Sequence, residues 1–243
     1  LTDSSVLNNH SSKVVLNKII EITKNKHKPD SIACAICLIL LENKNIITCN
    51  LIKNKINIFC TNQTFQNFIN DWYKQDKKNI SKLYAEFKSI NFPDNALDFA
   101  GYIYESIRSV ADKSQSGAYF TPSRITKEII IPSDEYVIDP CSGTGSLILN
   151  IVRKNHDPQK ILLRDIDLTA LRIAKVNFVL FFGSCDKLIN TKIVDITNPE
   201  TTIPDYCNHI ITNPPYGLKL NSGQKRKLIK SYPEIKSAES FSI

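Results

Sequence analysis

The 243-residue chain predicts an α/β protein with a doubly wound, mostly parallel sheet in its second half. Three short apolar runs lead into Asp139, Asp165 and Asn213, as buried strands lead into polar loops. A glycine-rich turn follows the first run, and residues at helical spacing follow the second. Strands and helices that alternate in this way indicate parallel strands with helices on the faces of the sheet.

The first run, over 137–139, continues into a glycine-rich turn and an apolar helix expected over 147–152. Gly143 and Gly145 allow a tight turn and a close approach of the backbone to a ligand. The turn resembles a nucleotide-binding strand–loop–helix, although Ile148 stands where the dinucleotide fingerprint has its third glycine. A phosphate-binding P-loop is not expected, because no Gly-Lys-Ser/Thr follows.

The second strand is expected to end at Asp165, and the apolar spacing that follows predicts a helix over 168–182. Gly183 is expected to end this helix, because glycine readily adopts the left-handed conformation of a helix C-terminus. A third strand, or the end of one, is expected over 193–196.

The segment Asn213-Pro214-Pro215-Tyr216 follows the apolar run 209–212. Its two prolines fix the local backbone and remove two donors, and the residue before them is extended. The Asn213 side-chain oxygen and the Pro214 carbonyl can accept hydrogen bonds from an amino group, and Tyr216 can stack on a planar ring. A turn without a ligand is the alternative for this segment taken alone.

These two motifs, Asp139-Pro140 with its Gly-x-Gly turn and the segment 213–216, resemble motifs I and IV of amino-methylating S-adenosylmethionine-dependent methyltransferases. The stretch 116–123, Ser-Gly-Ala-Tyr-Phe-Thr-Pro-Ser, resembles motif X of those DNA N6-adenine methyltransferases in which motif X precedes motif I. The modification subunits of type I restriction–modification systems and fused restriction–methylation enzymes are of this kind. The resemblance covers about residues 94–243.

The resemblance implies a Rossmann-like methyltransferase domain that transfers methyl from S-adenosyl-L-methionine to the exocyclic amine of a flipped adenine, with no metal. It places the ribose hydroxyls at Asp165, with Asp167 as a second candidate, and the adenine amino group at Asp195. For Asp195, a turn cap is the alternative. The residues implied in catalysis are Asn213, Pro214, Pro215 and Tyr216. The residues implied in cofactor binding are Tyr119, Phe120, Thr121, Pro122, Asp139, Pro140, Gly143, Thr144, Gly145, Asp165, Ile166 and Asp195.

Double-stranded DNA is the implied partner, with a specificity subunit and a restriction subunit as further candidates. Two other functions stay open. One is methylation of a different amino group: cytosine N4, ribosomal guanine or a protein glutamine. Motif X ahead of motif I argues against it. The other is a catalytically silent cofactor-binding or DNA-binding remnant. A basic cluster over 219–230 is either a phosphate contact or a solvated face.

Three parts are expected along the chain. Residues 1–91 are expected to form an α+β module. This module would clamp DNA or dock a partner subunit, or it is a packing domain without a ligand. Its helices are expected over 12–23, 63–74 and 79–89, and its strands over 32–41, 46–51 and 56–60. Residues 92–136 form a helical connector carrying motif X, and residues 137–243 the first part of the methyltransferase domain. The family fold has seven strands, so we expect the sheet to stop after strand 4 here and the full-length protein to continue past Ile243.

The composition bounds these expectations. A net charge of +7 permits a polyanionic partner. The longest apolar stretch, over 32–41, is too short to span a bilayer, so we expect a cytoplasmic protein without a membrane partner. Seven cysteines, an odd number, indicate reduced thiols. Cys34 and Cys37 are interpreted as buried thiols on a strand, where residues three apart face opposite sides.

Overall fold

The computed structural model describes residues 10–23, 26–93, 98–111, 126–198, 201–214 and 222–231. The helices are α1 (His10–Thr23), α2 (Pro29–Asn43), α3 (Gln63–Lys74), α4 (Lys77–Phe87), α5 (Phe99–Ala111), α6 (Ser146–Leu149), α7 (Leu168–Phe182) and α8 (Ser222–Ser231). The strands are β1 (Thr48–Ile52), β2 (Lys55–Phe59), β3 (Val137–Asp139), β4 (Ile161–Asp165), β5 (Asn190–Ile193) and β6 (His209–Ile210).

Strands β3 to β6 form a four-stranded parallel sheet in the order β5-β4-β3-β6. Val137 lies between Ile161 of β4 and His209 of β6, which fixes the register of the two central pairings. The chain runs outward from β3 through β4 to β5 and then returns to β6 on the other side of β3. The sheet therefore has a topological switch point between β3 and β6, where open α/β sheets bind ligands.

The central strands form because their residues are apolar on both faces, as parallel strands covered by helices must be. Val137, Ile138 and the run 161–163 are all buried. Helix α7 begins and ends as the sequence predicts: Asp167 caps its first turn, and Gly183 follows its last residue with a left-handed φ of 73°. Helix α6 is shorter than the predicted 147–152, because the Asn150 side chain donates to the Ser146 carbonyl and the chain turns away there.

The strand predicted over 32–41 is wrong, because these residues lie within helix α2. A continuous apolar run does not distinguish a buried strand from a buried helix by periodicity. Pro29 in the first turn, followed by Asp30, is a helix-start signal, and α4, α5 and α7 pack around α2 and leave it little polar face. The strands expected at 46–51 and 56–60 are confirmed as the antiparallel hairpin β1–β2, and the helices expected over 12–23, 63–74 and 79–89 are confirmed with small shifts of their ends.

The interpretation of Cys34 and Cys37 as buried thiols is confirmed, although they lie on a helix. Burial raises the pKa of both thiols, so neither is a ready thiolate. All seven cysteines are free, and the sulfur atoms of Cys60 and Cys185 lie 3.4 Å apart.

Two apolar cores meet at helix α7. The first contains residues of α1 to α5, of the hairpin, and of one face of α7 that includes Ile173 and Val176. The second contains β3, β4, α6 and the opposite face of α7, which includes Ala174 and Phe178. The N-terminal helices therefore pack on the sheet domain through α7, and the division of the chain at 91/92 and 136/137 stays a prediction. Among the described residues, no helix has the length and apolar character needed to cross a membrane.

Candidate functional site

The polar ends of the central strands meet at one edge of the sheet. Asp139 ends β3, Asp165 ends β4, and Asn213 follows β6 by three residues. Since β3, β4 and β6 are parallel, their carboxyl ends lie on the same side of the sheet. The three residues therefore lie at the same edge of the sheet, and Asp139 and Asn213 follow the two strands that flank the switch point.

The glycine loop, residues 140–145, turns sharply between β3 and α6. Gly143 and Gly145 have φ angles of 51° and 83°, which favour glycine. A Cβ at Gly145 would lie 2.9 Å from Phe178 Cε2, so this glycine is needed for packing against α7. A Cβ at Gly143 would meet nothing within 4 Å, so Gly143 borders open space.

Asp139 lies buried where β3 enters the glycine loop. The residue is 1% exposed, and its carboxylate accepts a hydrogen bond from the Cys141 N–H at 3.0 Å. Burial raises the pKa of Asp139 to about 7, and the nearby Asp165 adds to this rise. Beside it, the Ile211 N–H donates to the Ile138 carbonyl at 3.0 Å, so backbone pairing holds the residues just before Asn213 against β3.

Asp165 holds the glycine loop against β4. Its Oδ2 accepts from the Gly143 N–H at 2.7 Å, and its Oδ1 accepts from the Asp167 N–H at 2.9 Å. Burial raises the pKa of Asp165, while these N–H donors stabilise the ionised form. Each carboxylate oxygen has two lone pairs, so the side chain keeps acceptor capacity for a ligand.

The next two residues differ sharply in their surroundings. Ile166 is 67% exposed, which is unusual for a large apolar side chain directly after a buried strand. Both carboxylate oxygens of Asp167 accept hydrogen bonds from other residues of the protein. Its Oδ1 accepts from the N–H groups of Thr169 and Ala170, and its Oδ2 accepts from Tyr104 and Arg108. Asp165 is therefore the better placed of the two acids for a ligand.

Asp195 caps its own turn just beyond β5. Its Oδ1 accepts from the Thr197 N–H at 2.9 Å and from the Thr197 hydroxyl at 2.6 Å. Its backbone carbonyl accepts from the Thr201 hydroxyl at 3.0 Å. The structure therefore shows the turn-cap role, and contact of Asp195 with a ligand stays a prediction.

Sequence reasoning gives no role to Asp98 or Asn177, which form a buried polar cluster with Thr144 beneath the glycine loop. Asp98 accepts from the Thr144 hydroxyl and from the Asn177 side chain, both at 2.6 Å. The signal available in the sequence was Asn177, a polar residue in the apolar stretch that forms helix α7. Buried amides need partners, so its presence there indicates a polar contact inside the fold.

Of the predicted catalytic residues, Asn213 and Pro214 are described and half-buried. The predicted site residues that lie outside the described residues are Tyr119, Phe120, Thr121, Pro122, Pro215 and Tyr216, and their assignments stay predictions.

Residues 95–239, more than half of the chain, match the model of the N-6 DNA Methylase family. The chain therefore belongs to this family. It is 30% identical over 146 residues to Type II methyltransferase M.VspI of Vibrio sp. (strain 343), which covers 58% of this chain and 35% of that protein. It is 26% identical over 187 residues to the Type I restriction enzyme MjaVIII methylase subunit of Methanocaldococcus jannaschii, which covers 66% of this chain and 32% of that one. The chain thus spans about a third of the length of these curated relatives.

The fold is similar to that of a solved modification subunit of a candidate type I restriction enzyme from Vibrio vulnificus YJ016. The two align with a TM-score of 0.56 and 11% identity, over 95% of this chain and 64% of the other. At this identity the likeness concerns the fold alone. It supports an α/β architecture around the parallel sheet described above.

Proposed function

We propose that this chain is part of a DNA adenine-N6 methyltransferase of a restriction–modification system. The observation that carries the proposal is the parallel pairing of β3 with β6, which continues in the bond from the Ile211 N–H to the Ile138 carbonyl at 3.0 Å. This pairing brings the glycine loop that follows β3 and the start of the Asn-Pro-Pro-Tyr segment that follows β6 to the same edge of the sheet. A methyl donor in the loop and an amine at Asn213 would then be neighbours, which is the positioning that methyl transfer requires.

The edge of the sheet fits S-adenosyl-L-methionine, the cofactor that we assign to it. Gly143 borders open space that a Cβ would partly fill, so a ligand can approach the backbone there. Asp165 offers acceptors for the ribose hydroxyls, and the exposed Ile166 offers an apolar surface for the adenine ring. Asp195 would accept from the adenine amino group beside its contact with Thr197. When bound, the cofactor supplies an already activated methyl group on a sulfonium.

The amine to be methylated would be held by Asn213 and Pro214. An exocyclic amine on an aromatic base is a poor nucleophile, because its lone pair is delocalised into the ring. The Asn213 side-chain oxygen and the Pro214 carbonyl can accept from both of its N–H bonds. These acceptors favour a pyramidal nitrogen and stabilise the positive charge that develops on it during transfer. Stacking of the base on Tyr216 completes the arrangement.

We assign double-stranded DNA as the partner, and a specificity subunit and a restriction subunit as further partners. Helix α8 follows the Asn-Pro-Pro-Tyr segment and carries the exposed cations Arg226 and Lys230, which suit contact with phosphates. We also propose that residues 1–91 act as one module, which would orient the sheet domain on its partners through the packing on α7.

Transfer of labelled methyl to DNA tests the proposal. Full-length protein is incubated with unmethylated DNA and labelled S-adenosylmethionine, and the DNA is digested to nucleosides. Label is expected in N6-methyladenine, and Asn213→Ala should reduce it by roughly a hundred-fold or more, as for loss of a transition-state hydrogen bond. Asn208→Ala is the matched control. It changes an asparagine at the start of the same strand, which bonds the Tyr136 N–H and lies away from the site.

Label in N4-methylcytosine would redirect the proposal to another amino group. A full-length protein that binds the cofactor yet labels no DNA would contradict it.

A further inference from the structure

A buried carboxylate with no part in the proposed chemistry lies beneath the glycine loop. Asp98 directly precedes α5 and is 4% exposed. Its Oδ2 accepts from the Thr144 hydroxyl and its Oδ1 from Asn177 Nδ2, both at 2.6 Å. One side chain therefore joins the start of α5, the glycine loop and the middle of α7.

Thr144 is held from two directions. Its hydroxyl donates to Asp98, and its backbone carbonyl accepts from Asn177 Nδ2 at 3.0 Å. It lies between Gly143 and Gly145, which have positive φ angles and impose little stiffness of their own. The conformation of the loop thus depends on contacts made from below.

The close packing around Asp98 depends on two unusual backbone positions. A Cβ at Gly101 would lie 1.9 Å from Asp98 Oδ1 and 2.5 Å from Thr144 Oγ1, so only glycine lets the first turn of α5 come this close. Asp98 itself has a φ of 57°, in the left-handed region where Asp and Asn are tolerated better than most residues. Two backbone positions are therefore specialised to bring this carboxylate under the loop.

We infer that Asp98 is a positioning residue, which sets the conformation of the glycine loop through Thr144 and thereby the affinity of the loop for the cofactor. A loop ordered before binding loses less conformational freedom when the ligand arrives, so affinity is higher. The inference rests on the proposed function for the identity of the ligand. The ordering of the loop is a property of the free chain and does not depend on it.

Asp98→Asn replaces the carboxylate with an amide of nearly the same size. Asparagine has the same shape and tolerates the left-handed backbone, but its amide has one acceptor and one donor group. It cannot accept from both Thr144 and Asn177 as the carboxylate does. Thr144→Val removes the other end of the same contact with little change in volume.

Tyr73→Phe is the matched control. The Tyr73 hydroxyl is buried, bonds the Ser81 hydroxyl at 2.8 Å and accepts from the Ile56 N–H at 2.9 Å. Its removal costs buried hydrogen bonds in the N-terminal core, away from the glycine loop. Tyr73→Phe therefore shows how much a general loss of stability changes amide exchange in the glycine loop and cofactor affinity.

Two measurements on the full-length protein test the inference. Hydrogen–deuterium exchange is followed at the backbone amides of 142–146 without cofactor, and S-adenosylmethionine is then titrated by calorimetry. Asp98→Asn and Thr144→Val should each speed exchange in the loop and weaken cofactor binding about ten-fold, as for one lost hydrogen bond to a charged group. The double variant should lose no more than Asp98→Asn alone, and Tyr73→Phe should change neither quantity.

Loop exchange and affinity at the wild-type level in Asp98→Asn and Thr144→Val would overturn the inference. So would equal losses in Tyr73→Phe, because the effect would then follow general stability. If Asp98→Asn does not fold, Thr144→Val carries the test. If the variants speed loop exchange but the wild-type protein binds no S-adenosylmethionine, the proposed function fails while the positioning role stands.

Discussion

Acidic side chains have different partners at the interface between the N-terminal helices and α7 and at the edge of the sheet. At the interface, acids are paired with arginines. Asp30 bonds Arg172 at 3.3 Å, and Asp167 bonds Arg108 at 2.5 Å. Both pairs are partly shielded from solvent, and each joins helices distant in the chain. Such pairs contribute to the fold because loss of one partner leaves the other charge uncompensated.

At the edge of the sheet, buried acids bond hydroxyl, amide and N–H groups. Asp98 bonds the Thr144 hydroxyl, Asp139 bonds the Cys141 N–H, and Asp165 bonds two backbone N–H groups. Burial raises the pKa of all three carboxyls, to about 7 for Asp98 and Asp139. Keeping such groups buried costs stability, which is common where geometry serves a ligand. Acids of both regions accept from N–H and hydroxyl groups, but Asp30 and Asp167 also have an arginine partner, which none of the described bonds supplies to Asp98, Asp139 or Asp165.

Removal of an interface acid should give the largest loss of stability. Asp30 accepts from Trp72 Nε1, from the Thr169 hydroxyl and from Arg172, so Asp30→Ala breaks contacts among α2, α3 and α7. We expect a loss of roughly 3 kcal/mol in the free energy of unfolding, measured with urea. Cofactor affinity of the folded fraction should stay at the wild-type level. A variant as stable as the wild type, or one that is folded but unable to bind cofactor, would contradict the claim that Asp30 stabilises the fold and is separate from the cofactor site.

The two glycines of the loop should separate packing from binding. Gly145→Ala combines a left-handed φ with an overlap on Phe178, so we expect a loss of roughly 2 kcal/mol in stability. Gly143→Ala meets no neighbour and should cost only about 1 kcal/mol.

Calorimetric titration of both glycine variants with S-adenosylmethionine completes this test. Gly143→Ala should lose more affinity than stability, because its new methyl group enters the space assigned to the ligand. Equal affinities in wild type and Gly143→Ala would place the cofactor elsewhere.

The pH dependence of stability should show the smallest effect. The pKa of Asp139 is raised to about 7, above the ~3.9 of an exposed aspartate. Between these values the folded state holds a proton that the unfolded chain has lost, so stability from this group is lost as pH rises towards 7. Asp139→Asn removes the titration, and its stability relative to wild type should rise by somewhat under about 1 kcal/mol from pH 6.5 to pH 8. Urea unfolding at the two pH values measures it, and a constant difference would contradict the raised pKa.

Local sequence signals were sufficient to predict the central strands of the sheet domain. Each central strand is short, apolar and followed by an acid, a glycine turn or a proline pair, so Asp139, Asp165 and Asn213 could be placed before the structure was known. Helix α2 could not be recognised, because a run that is apolar on every side has no periodicity to distinguish helix from strand.

Contacts between distant segments were beyond sequence reasoning. The bond between Asp98 and Thr144 joins residues 46 positions apart, and that between Asp98 and Asn177 joins residues 79 apart. Neither pair has a local pattern, since the contacts exist only after α5 and α7 pack around the loop. The same holds for the bond from Arg108 to Asp167, which removes Asp167 from the candidate site.

Calorimetric titration of S-adenosylmethionine into the full-length wild type and its Asp165→Ala variant tests the central claim most directly. The account predicts that the wild type binds and that Asp165→Ala remains folded but binds roughly a hundred-fold more weakly, because acceptors for the ligand and the contact with the Gly143 N–H are lost together. A wild-type protein that does not bind, or an Asp165→Ala variant that binds equally well, would contradict the assignment of the sheet edge as the cofactor site.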